Sequence, residues 1–515
     1  MPILGTFRHL VERNERFHPR ELCLIFENRR ITFAEHAVRA RQLGDAIYRL
    51  GMRHQDRVAI LAMNCPEHLE VSGAAEVSGY ILAPVNYRLA PPETTYVVND
   101  CSPTVLVFEA QYVAAIDSIR AQLKSVRHFV CIGHEAPSWA LPYEALITTG
   151  DAAGPPLRPS PNDILSILYT SGTTGRPKGV MNTHEAGMWA ALMQAVEMRT
   201  DVGGKFLVVM PTYHLAGRLM MSAQHLRGGT VILHRAFDAA EVVRTIERER
   251  VTEAHLAPTM LQAVLDVPDI DQHDLSSLRT LEHAAAPISL SLRKRALKKL
   301  GPILIDAYGQ TEGGGTVLRQ HQAKLEGTPK EVKRLGSVGQ PMLHAEMRIV
   351  DERDCEVPVG AVGEICFKTP QNMLGYWNNP AATAETLLNG WLHTGDMGYA
   401  DEEGFLFLVD RKKDMIISGG ENIYSREVEE AVLSHAEVDD AAVIGVPHLH
   451  WGEAVVALVV VKRGAKLDAE SLTAHCKMQI ASYKCPKGID FIAELPRLPS
   501  GKVNKVVLRE RYANR

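Results

Sequence analysis

The chain has 515 residues, which is too long for a single hydrophobic core, so at least two domains are expected. Hydrophobic residues make up 46% of it and charged residues 23%, as in ordinary soluble globular proteins. Its 56 basic and 61 acidic residues give a net charge of -5 without a long run of either sign, which argues against nucleic-acid binding.

The cysteines and the apolar runs indicate a compartment. Eight cysteines are scattered without a Cys-x-x-Cys spacing, which favours reduced thiols and predicts a cytoplasmic protein. Residues 1–17 are interrupted by charges and lack the apolar core of a signal peptide. The longest apolar run, at residues 454–461, is too short to span a membrane, so we expect no transmembrane segment. The oligomeric state stays open, with a homodimer among the alternatives.

Short apolar runs alternate with helical patterns between Arg57 and Ile305, for example at residues 58–63, 81–85 and 105–108. This alternation predicts parallel sheets covered by helices. After about Gly336, apolar runs are separated only by Gly and Asp turns, which predicts a small antiparallel unit.

The charged segment Asp-Arg-Lys-Lys-Asp at residues 410–414 indicates a boundary. Beyond it, helical patterns at 426–434 and 469–480 enclose strand-like runs at 441–446 and 455–461. We therefore predict an α/β N-terminal domain over residues 1–411 and a compact α+β domain over residues 412–515.

The most informative segment is residues 170–179, Thr-Ser-Gly-Thr-Thr-Gly-Arg-Pro-Lys-Gly. Its glycines allow backbone N–H groups to approach an anion, and its hydroxyls and cations add further donors. It lies between a buried run at 164–169 and a helical pattern after Asn182, so it is predicted where a strand ends and a helix begins. Lys178 is not followed by Ser or Thr, which excludes a P-loop NTPase. The segment predicts a polyphosphate site.

Four further segments carry polar groups in a regular order. Residues 306–312, Asp-Ala-Tyr-Gly-Gln-Thr-Glu, follow a strand and are predicted at the open end of a sheet. Residues 391–396 end in Asp396, whose carboxylate can accept two hydrogen bonds from a ribose diol. Residues 410–422 lead from the charged run into Ser-Gly-Gly-Glu-Asn, and residues 499–505 read Pro-Ser-Gly-Lys-Val-Asn-Lys.

In this order and spacing, the five segments resemble the adenylate-forming superfamily of acyl- and aryl-CoA synthetases, peptide-synthetase adenylation domains and luciferases. The resemblance covers nearly the whole chain. It implies a large N-terminal domain of two parallel αβ subdomains and a small β-barrel, followed by a small mobile α+β domain. It also implies ATP and CoA as substrates and Mg²⁺ as cofactor, with acyl-AMP and pyrophosphate formed first and acyl-CoA and AMP second.

Carried over residue by residue, the resemblance assigns ATP binding to Thr170, Ser171, Gly172, Thr173, Thr174, Gly175, Lys178, Asp306, Tyr308, Gly309, Gln310, Thr311, Asp396, Arg411 and Lys502. It assigns Mg²⁺ to Thr170 and Glu312, and catalysis to Lys502, Thr170, Glu312 and His214. Adenylation brings two anions together, so concentrated positive charge at these positions is what the chemistry needs. Lys413 takes the hinge position, and the CoA-side loop is Ser418, Gly419 and Gly420.

The acyl pocket is implied at Tyr213, His214, Arg218, His283, Gly313 and Gly314, with the region around His255. Glycines at 313–315 are expected to leave space, which favours a medium-chain fatty acid or a planar aryl acid. Alternatively, Arg218 binds a distal anion of a polar or dicarboxylic acid, because a buried arginine needs a partner. A third interpretation makes Arg218 a structural arginine.

Two alternatives to a CoA ligase were weighed. One keeps adenylation but ends in oxygenation or acyl transfer to a carrier protein; the chain runs only 13 residues beyond Lys502, so no carrier domain is expected. The other is a non-enzymatic ATP-binding protein, which the joint presence of Thr170, Glu312, Asp396, Arg411 and Lys502 disfavours.

Overall fold

The computed structural model describes residues 5–170, 176–284, 288–418, 421–448, 451–498 and 502–512. By its internal contacts the chain divides into two compact units. The large unit holds residues 1–346 and 367–392, and the second unit holds residues 347–366 and 393–515. The boundary predicted between residues 411 and 412 lies inside the second unit, whose longer segment begins at His393. That boundary stays a prediction of where a mobile C-terminal domain begins.

Helices and strands are numbered in chain order. The helices of the large unit are α1 Phe7–Phe17, α2 Phe33–Arg49, α3 Pro66–Ser78, α4 Pro91–Cys101, α5 Val113–Ile119, α6 Tyr143–Thr148, α7 His184–Glu197, α8 Leu215–Leu226, α9 Ala239–Glu249, α10 Pro258–Leu265, α11 Leu290–Leu300, α12 Pro329–Lys333 and α13 Pro380–Thr386. Those of the second unit are α14 Ser425–Leu433, α15 Ala469–Gln479 and α16 Lys505–Tyr512.

Among the described residues, the large unit contains an eight-stranded and a nine-stranded sheet. The first has the order β19-β9-β8-β4-β3-β5-β6-β7, with β3 Arg57–Leu61, β4 Ile81–Pro84, β5 Val105–Glu109, β6 His128–Ile132, β7 Leu141–Pro142, β8 Ile164–Thr170, β9 Lys178–Thr183 and β19 Gly375–Tyr376. The second has the order β16-β15-β14-β13-β12-β10-β11-β1-β2, with β1 Leu22–Phe26, β2 Arg29–Thr32, β10 Lys205–Val208, β11 Thr230–Leu233, β12 Glu253–His255, β13 Thr280–His283, β14 Leu304–Gln310, β15 Gly313–Leu318 and β16 Gln340–Pro341.

Strand β3 shows why these sheets are buried on both faces. Val58 and Ile60 pack into one core with α2 and α3, while Ala59 and Leu61 pack into another with α4 and α5. Successive side chains of a strand point to opposite faces, so a continuous apolar run requires helices on both sides. The predicted α/β class with parallel strands is confirmed.

The phosphate segment connects two strands. Strands β8 and β9 are antiparallel, with Thr170 opposite Lys178, and α7 begins only at His184. The prediction that the segment joins a strand directly to a helix is therefore wrong. Strand β9 mixes polar and apolar residues, and it is held by pairing with both β8 and β19 rather than by an apolar run of its own.

The small antiparallel unit predicted after Gly336 is a sheet whose residues belong mostly to the second unit. Its described strands are β17 Glu346–Val350, β18 Gly363–Lys368, β20 Leu387–Leu388, β21 Trp391–Ala400 and β22 Leu406–Arg411, in the order β17-β18-β21-β20 with β22 beside β21. A further sheet follows, with β23 Ile416–Ser418, β24 Glu421–Ile423, β25 Val438–His448, β26 Gly452–Val461 and β27 Gly488–Phe491. It shares a core with α14 and α15, which gives the predicted α+β architecture.

All eight cysteines are free, and burial separates Cys355 from the rest. Cys355 is exposed, whereas the other seven thiols are buried. Burial raises the pKa of the Cys101 thiol to about 12 and that of Cys476 to about 11. Because the thiolate is the reactive form, these buried thiols are weak nucleophiles.

Candidate active site

In the large unit, Tyr376 contacts two residues predicted for the phosphate and metal site, Glu312 and Lys178, and Lys178 also contacts a third, Thr170. The Tyr376 hydroxyl donates a hydrogen bond of 2.7 Å to Glu312 Oε1, and Lys178 Nζ lies 4.8 Å from the centre of the Tyr376 ring. The Thr170 hydroxyl donates to the Lys178 carbonyl at 3.5 Å. Burial and the Glu312 carboxylate raise the pKa of Tyr376, so its hydroxyl stays a donor.

Tyr376 was missed in the sequence analysis. It lies on β19, opposite Val180 of β9, which brings it to the phosphate segment from almost two hundred residues further along the chain. The Gly-Tyr-Trp run at residues 375–377 is the local signal, because Gly375 adopts φ +150 and a Cβ there would lie 2.8 Å from the Thr383 side chain of α13. Pairing between β9 and β19 could not be read from either segment alone.

Glu312 lies at the turn between β14 and β15 and is buried. Its carboxylate oxygen fits Mg²⁺, which takes one or two protein carboxylates and completes its shell with phosphates and water. Within the described ranges, no group of three or more His, Cys, Asp or Glu side chains is placed to hold a metal ion. Glu312 and the Thr170 hydroxyl would each supply one oxygen ligand to such an ion.

The segment 306–312 lies mostly within strand β14, which runs to Gln310, and not beyond the end of a strand as predicted. Tyr308 is half-buried, with its ring 6.1 Å from that of Phe367. Asp306 is buried and forms an ion pair with Arg293 of α11, while His283 Nδ1 lies 3.4 Å from Asp306 Oδ1. Asp306 thus has an intramolecular partner.

In the second unit, Asp396 and Arg411 lie opposite each other on β21 and β22. Arg411 Nε is 3.6 Å from Asp396 Oδ1, and the two side chains are 43% and 22% exposed, respectively. A carboxylate beside a guanidinium on an accessible strand pair suits the hydroxyl groups of a ribose and a neighbouring phosphate. Their roles in nucleotide binding stay predictions.

The predicted hinge precedes a network of charges. Asp414 pairs with Arg509 of α16 at 2.8 Å, and Lys505 Nζ pairs with Glu429 at 2.7 Å. Partial burial lowers the pKa of Lys413 to about 8, and the nearby Arg411 adds to this effect. The residues after the hinge position are therefore fixed to α14 and α16.

Lys502 has an exposed side chain, and its carbonyl accepts a hydrogen bond of 2.8 Å from the Leu498 N–H. Ser418 is buried at the end of β23. The other predicted loop residues lie outside the described residues: Ser171, Gly172, Thr173, Thr174, Gly175, Gly419 and Gly420.

Tyr213 and His214 lie just before α8. The two rings are 4.3 Å apart, and the Tyr213 ring meets Tyr87 edge-on at 5.3 Å. His283 is fully buried on β13, and burial lowers its pKa, so it is neutral near pH 7. The Tyr87 and His214 rings both lie against Tyr213.

The glycine run does not leave open space, which corrects the argument for a wide channel. Gly313, Gly314 and Gly315 are buried in β15 at positive φ. A Cβ on Gly314 would lie 2.6 Å from the Phe367 ring, and one on Gly315 would lie 2.9 Å from Met342 Sδ. These glycines admit neighbouring side chains of the protein, so they do not themselves favour a long substrate.

Arg218 is also placed differently from the prediction. Its buried side chain lines a cavity of about 30 Å³ bounded by α1, α2, α3 and α8, with polar lining residues Asn14, His36, Ser72, Glu76 and His225. Burial raises the pKa of Glu76 to about 7 and lowers the pKa of Arg218. The attraction between the two opposite charges shifts each pKa in the other direction, by a smaller amount. None of the other predicted acyl-pocket residues lines this cavity, and the role of Arg218 as a clamp for a distal anion stays a prediction.

A further polar network links strands β12 and β13 to α7. His255 Nδ1 lies 2.7 Å from Glu282 Oε2, and Gln194 Nε2 donates to Glu282 Oε1 at 2.8 Å. All three side chains are buried. The sequence pointed only to the region around His255 and gave no sign of this pairing.

Two matches to family models cover most of the chain. Residues 11–377 match the AMP-binding enzyme family, and residues 427–502 match the AMP-binding enzyme C-terminal domain. Together with the Glu312–Tyr376 and Asp396–Arg411 pairs, these matches define an adenylate-forming enzyme. The chain belongs to the AMP-binding enzyme family.

Individual relatives match over nearly their full length. A feruloyl-CoA synthase of an Amycolatopsis species is 36% identical over 97% of this chain and 98% of the relative. An indoleacetate–CoA ligase of Aromatoleum aromaticum is 36% identical over 98% of both chains. The solved structure of the anthranilate CoA ligase AuaEII with anthranoyl-AMP has a TM-score of 0.89 at 28% identity, covering 99% of this chain and 98% of the other. In the described ranges, no helix is long and apolar enough to cross a membrane.

Proposed function

We propose that this protein is an ATP-dependent carboxylic acid:CoA ligase that forms acyl-AMP and pyrophosphate, then acyl-CoA and AMP. The observation that carries the proposal is the Glu312–Tyr376–Lys178 cluster, which joins a metal-binding carboxylate to a phosphate-binding ammonium. The Asp396–Arg411 pair supplies a second nucleotide-binding element. The CoA ligases among the relatives support this reaction class.

In the proposed reaction, Glu312 and Thr170 hold Mg²⁺, which supplies positive charge to the phosphates of ATP. Lys178 and the backbone of residues 170–178 bind the β- and γ-phosphates, and Lys502 neutralises charge at the α-phosphate while the acid attacks it. Tyr376 fixes the Glu312 carboxylate through its hydrogen bond. Tyr308 packs against adenine, and Asp396 with Arg411 binds the ribose.

We further propose that residues 412–515 move as a domain about Lys413 between the two half-reactions. One orientation would present Lys502 to the nucleotide, and the other would place Ser418 and the residues after it beside CoA. The network of Asp414 with Arg509 and of Glu429 with Lys505 supports movement as one body, because it fixes the residues after the hinge position to α14 and α16.

For the acid, we propose an aryl carboxylate ahead of a medium-chain fatty acid. Support comes from the feruloyl, indoleacetate and anthranilate ligases among the relatives, and from the Tyr87 and His214 rings beside Tyr213. The compartment we propose is the cytoplasm, in keeping with eight free cysteines. Sedimentation of the purified protein would distinguish a homodimer from a monomer.

The test is AMP release from ATP with a panel of aryl, medium-chain and dicarboxylic acids, measured with and without CoA. We expect AMP release to require both acid and CoA, and to yield a thioester in equal amount. Pyrophosphate release without any thioester would indicate another acceptor. If no acid supports pyrophosphate release, the proposed function is wrong.

A further inference from the structure

His255 presents a buried nitrogen that no described residue binds. Its Nδ1 faces Glu282 Oε2 at 2.7 Å, and its Nε2 is buried without a hydrogen-bond partner in the described part of the chain. The His255 side chain is 3% exposed and that of Glu282 is 2% exposed. A buried polar atom without a partner costs free energy, so a site of this kind calls for an occupant that satisfies it.

The surroundings decide which kind of partner the Nε2 atom needs. A carboxylate only accepts hydrogen bonds, so Glu282 receives one from the Gln194 amide and one from the His255 Nδ1–H. In a neutral imidazole with its proton on Nδ1, the other nitrogen is an acceptor. In its neutral form with the proton on Nδ1, His255 presents Nε2 as an acceptor, and the partner of that atom is then a donor such as a hydroxyl or an amine.

His255 also stands where substrates bind in this class of sheet. It is the last residue of β12, which runs parallel to β13, and β13 runs parallel to β14. Ligands of open α/β sheets bind beyond the carboxyl ends of such strands. At the same edge, β14 continues to Tyr308, and β13 ends at His283.

We propose that His255 Nε2 accepts a hydrogen bond from a hydroxyl or amino group on the body of the acid substrate, with Glu282 and Gln194 as positioning residues. This inference rests on the proposed function and deepens it, because it names the substituent that the acid carries. Glu282 fixes which nitrogen of His255 holds the proton, and Gln194 fixes the Glu282 carboxylate. The network would thus select hydroxylated or aminated acids over plain hydrocarbon acids.

The experiment compares matched acids on the full-length enzyme: cinnamate with its hydroxy, amino and methoxy derivatives at the meta and para positions. The readout is kcat/KM for CoA-dependent AMP release, expressed as the ratio of each derivative to cinnamate. We expect a hydroxy or amino derivative to exceed cinnamate by about tenfold to a hundredfold. The matching methoxy derivative, which cannot donate, should show no such gain.

His255→Leu should bring that ratio close to one, and His255→Gln should restore part of it, because an amide oxygen can accept the same bond. Glu282→Gln should raise KM for the favoured acid more than it lowers kcat, since the proton position on His255 is no longer fixed. The matched control is Glu253→Gln, a buried carboxyl two residues before His255 on the same strand, which should keep the wild-type ratio.

Two results would overturn the inference. One is a wild-type enzyme that turns over cinnamate but gains nothing from any hydroxy or amino group. The other is a folded His255→Leu variant that keeps the full wild-type preference, or a Glu282→Gln variant whose KM for the favoured acid is unchanged. Neither result touches the proposed function, which fails only if no acid supports pyrophosphate release.

Discussion

The candidate catalytic groups of the two units differ in how firmly they are held. In the large unit, Glu312 is buried and bonded to Tyr376, whose own ring lies against Lys178. In the second unit, the Arg411 side chain is 43% exposed, and the Lys502 side chain is exposed. Burial holds a charged group in one position before the ligand binds, whereas an exposed charged group can contact a ligand at one stage of the catalytic cycle. The comparison predicts different consequences for removing groups of each kind.

The largest effect is expected for Lys502→Ala. Removal of the exposed ammonium should slow acyl-adenylate formation by about a hundredfold to a thousandfold, because charge at the α-phosphate is lost. Thioester formation from supplied acyl-AMP should be spared. Pyrophosphate release and thioester yield measure the two steps separately, and an equal fall in both would contradict a role confined to one step.

The second-largest effect is expected for Glu312→Gln, which changes the buried carboxylate of the large unit. An amide is a poor ligand for a hard cation, so adenylation should fall by about tenfold to a hundredfold and need more Mg²⁺ for half-saturation. Tyr376→Phe is the matched variant, since it removes only the hydrogen bond that fixes Glu312. Its effect should have the same direction and a smaller size. An unchanged Mg²⁺ titration in Glu312→Gln would rule out the metal assignment.

Lys413→Pro should give the reverse of the Lys502→Ala result. Proline fixes φ near -65°, so it should hinder rotation at the hinge position. Adenylation should survive, and thioester formation should drop by about tenfold, on the scale of a gating defect. Lys413→Ala serves as the control, because it removes the ammonium and keeps the backbone free. If Lys413→Pro loses both steps while Lys413→Ala keeps both, the proline has destabilised the second unit and has not blocked the hinge.

The last effect concerns stability instead of rate. Glu253 is buried, and burial raises its pKa to about 7. A carboxyl with a raised pKa in the folded state stabilises the fold below its unfolded pKa and loses that contribution as the pH rises through about 7. The free energy of unfolding, measured in urea, should therefore fall by about 2 kcal/mol more in the wild type than in Glu253→Gln between pH 5 and pH 8. Parallel pH profiles for the two proteins would refute this.

Sequence reasoning found the α/β class and most strands of the large unit, because strands such as β3 carry apolar residues on both faces. It missed the pairing of β8 with β9, since β9 depends on its neighbours for stability rather than on its own apolar residues. It also misread the glycines at 313–315, because only the folded chain shows Phe367 and Met342 against them.

The candidate site likewise contains residues that the sequence predicts and residues that it does not. Glu312, Asp396 and Arg411 stand in recognisable local motifs, so their residue numbers could be predicted. Tyr376 and Glu282 are bonded to partners 64 and 27 residues away in the chain, and no local pattern encodes such a pairing. The position of Arg218 was decided by helix packing around a cavity, which a helical pattern alone does not reveal.

The isolation of one accessible thiol has a practical consequence. Cys355 is exposed and belongs to the second unit, while the seven other cysteines are buried. A maleimide dye should therefore couple to the native protein at one position and leave the core untouched. Fluorescence from that dye would follow the second unit through successive additions of ATP, acid and CoA, with no substitution introduced into the enzyme.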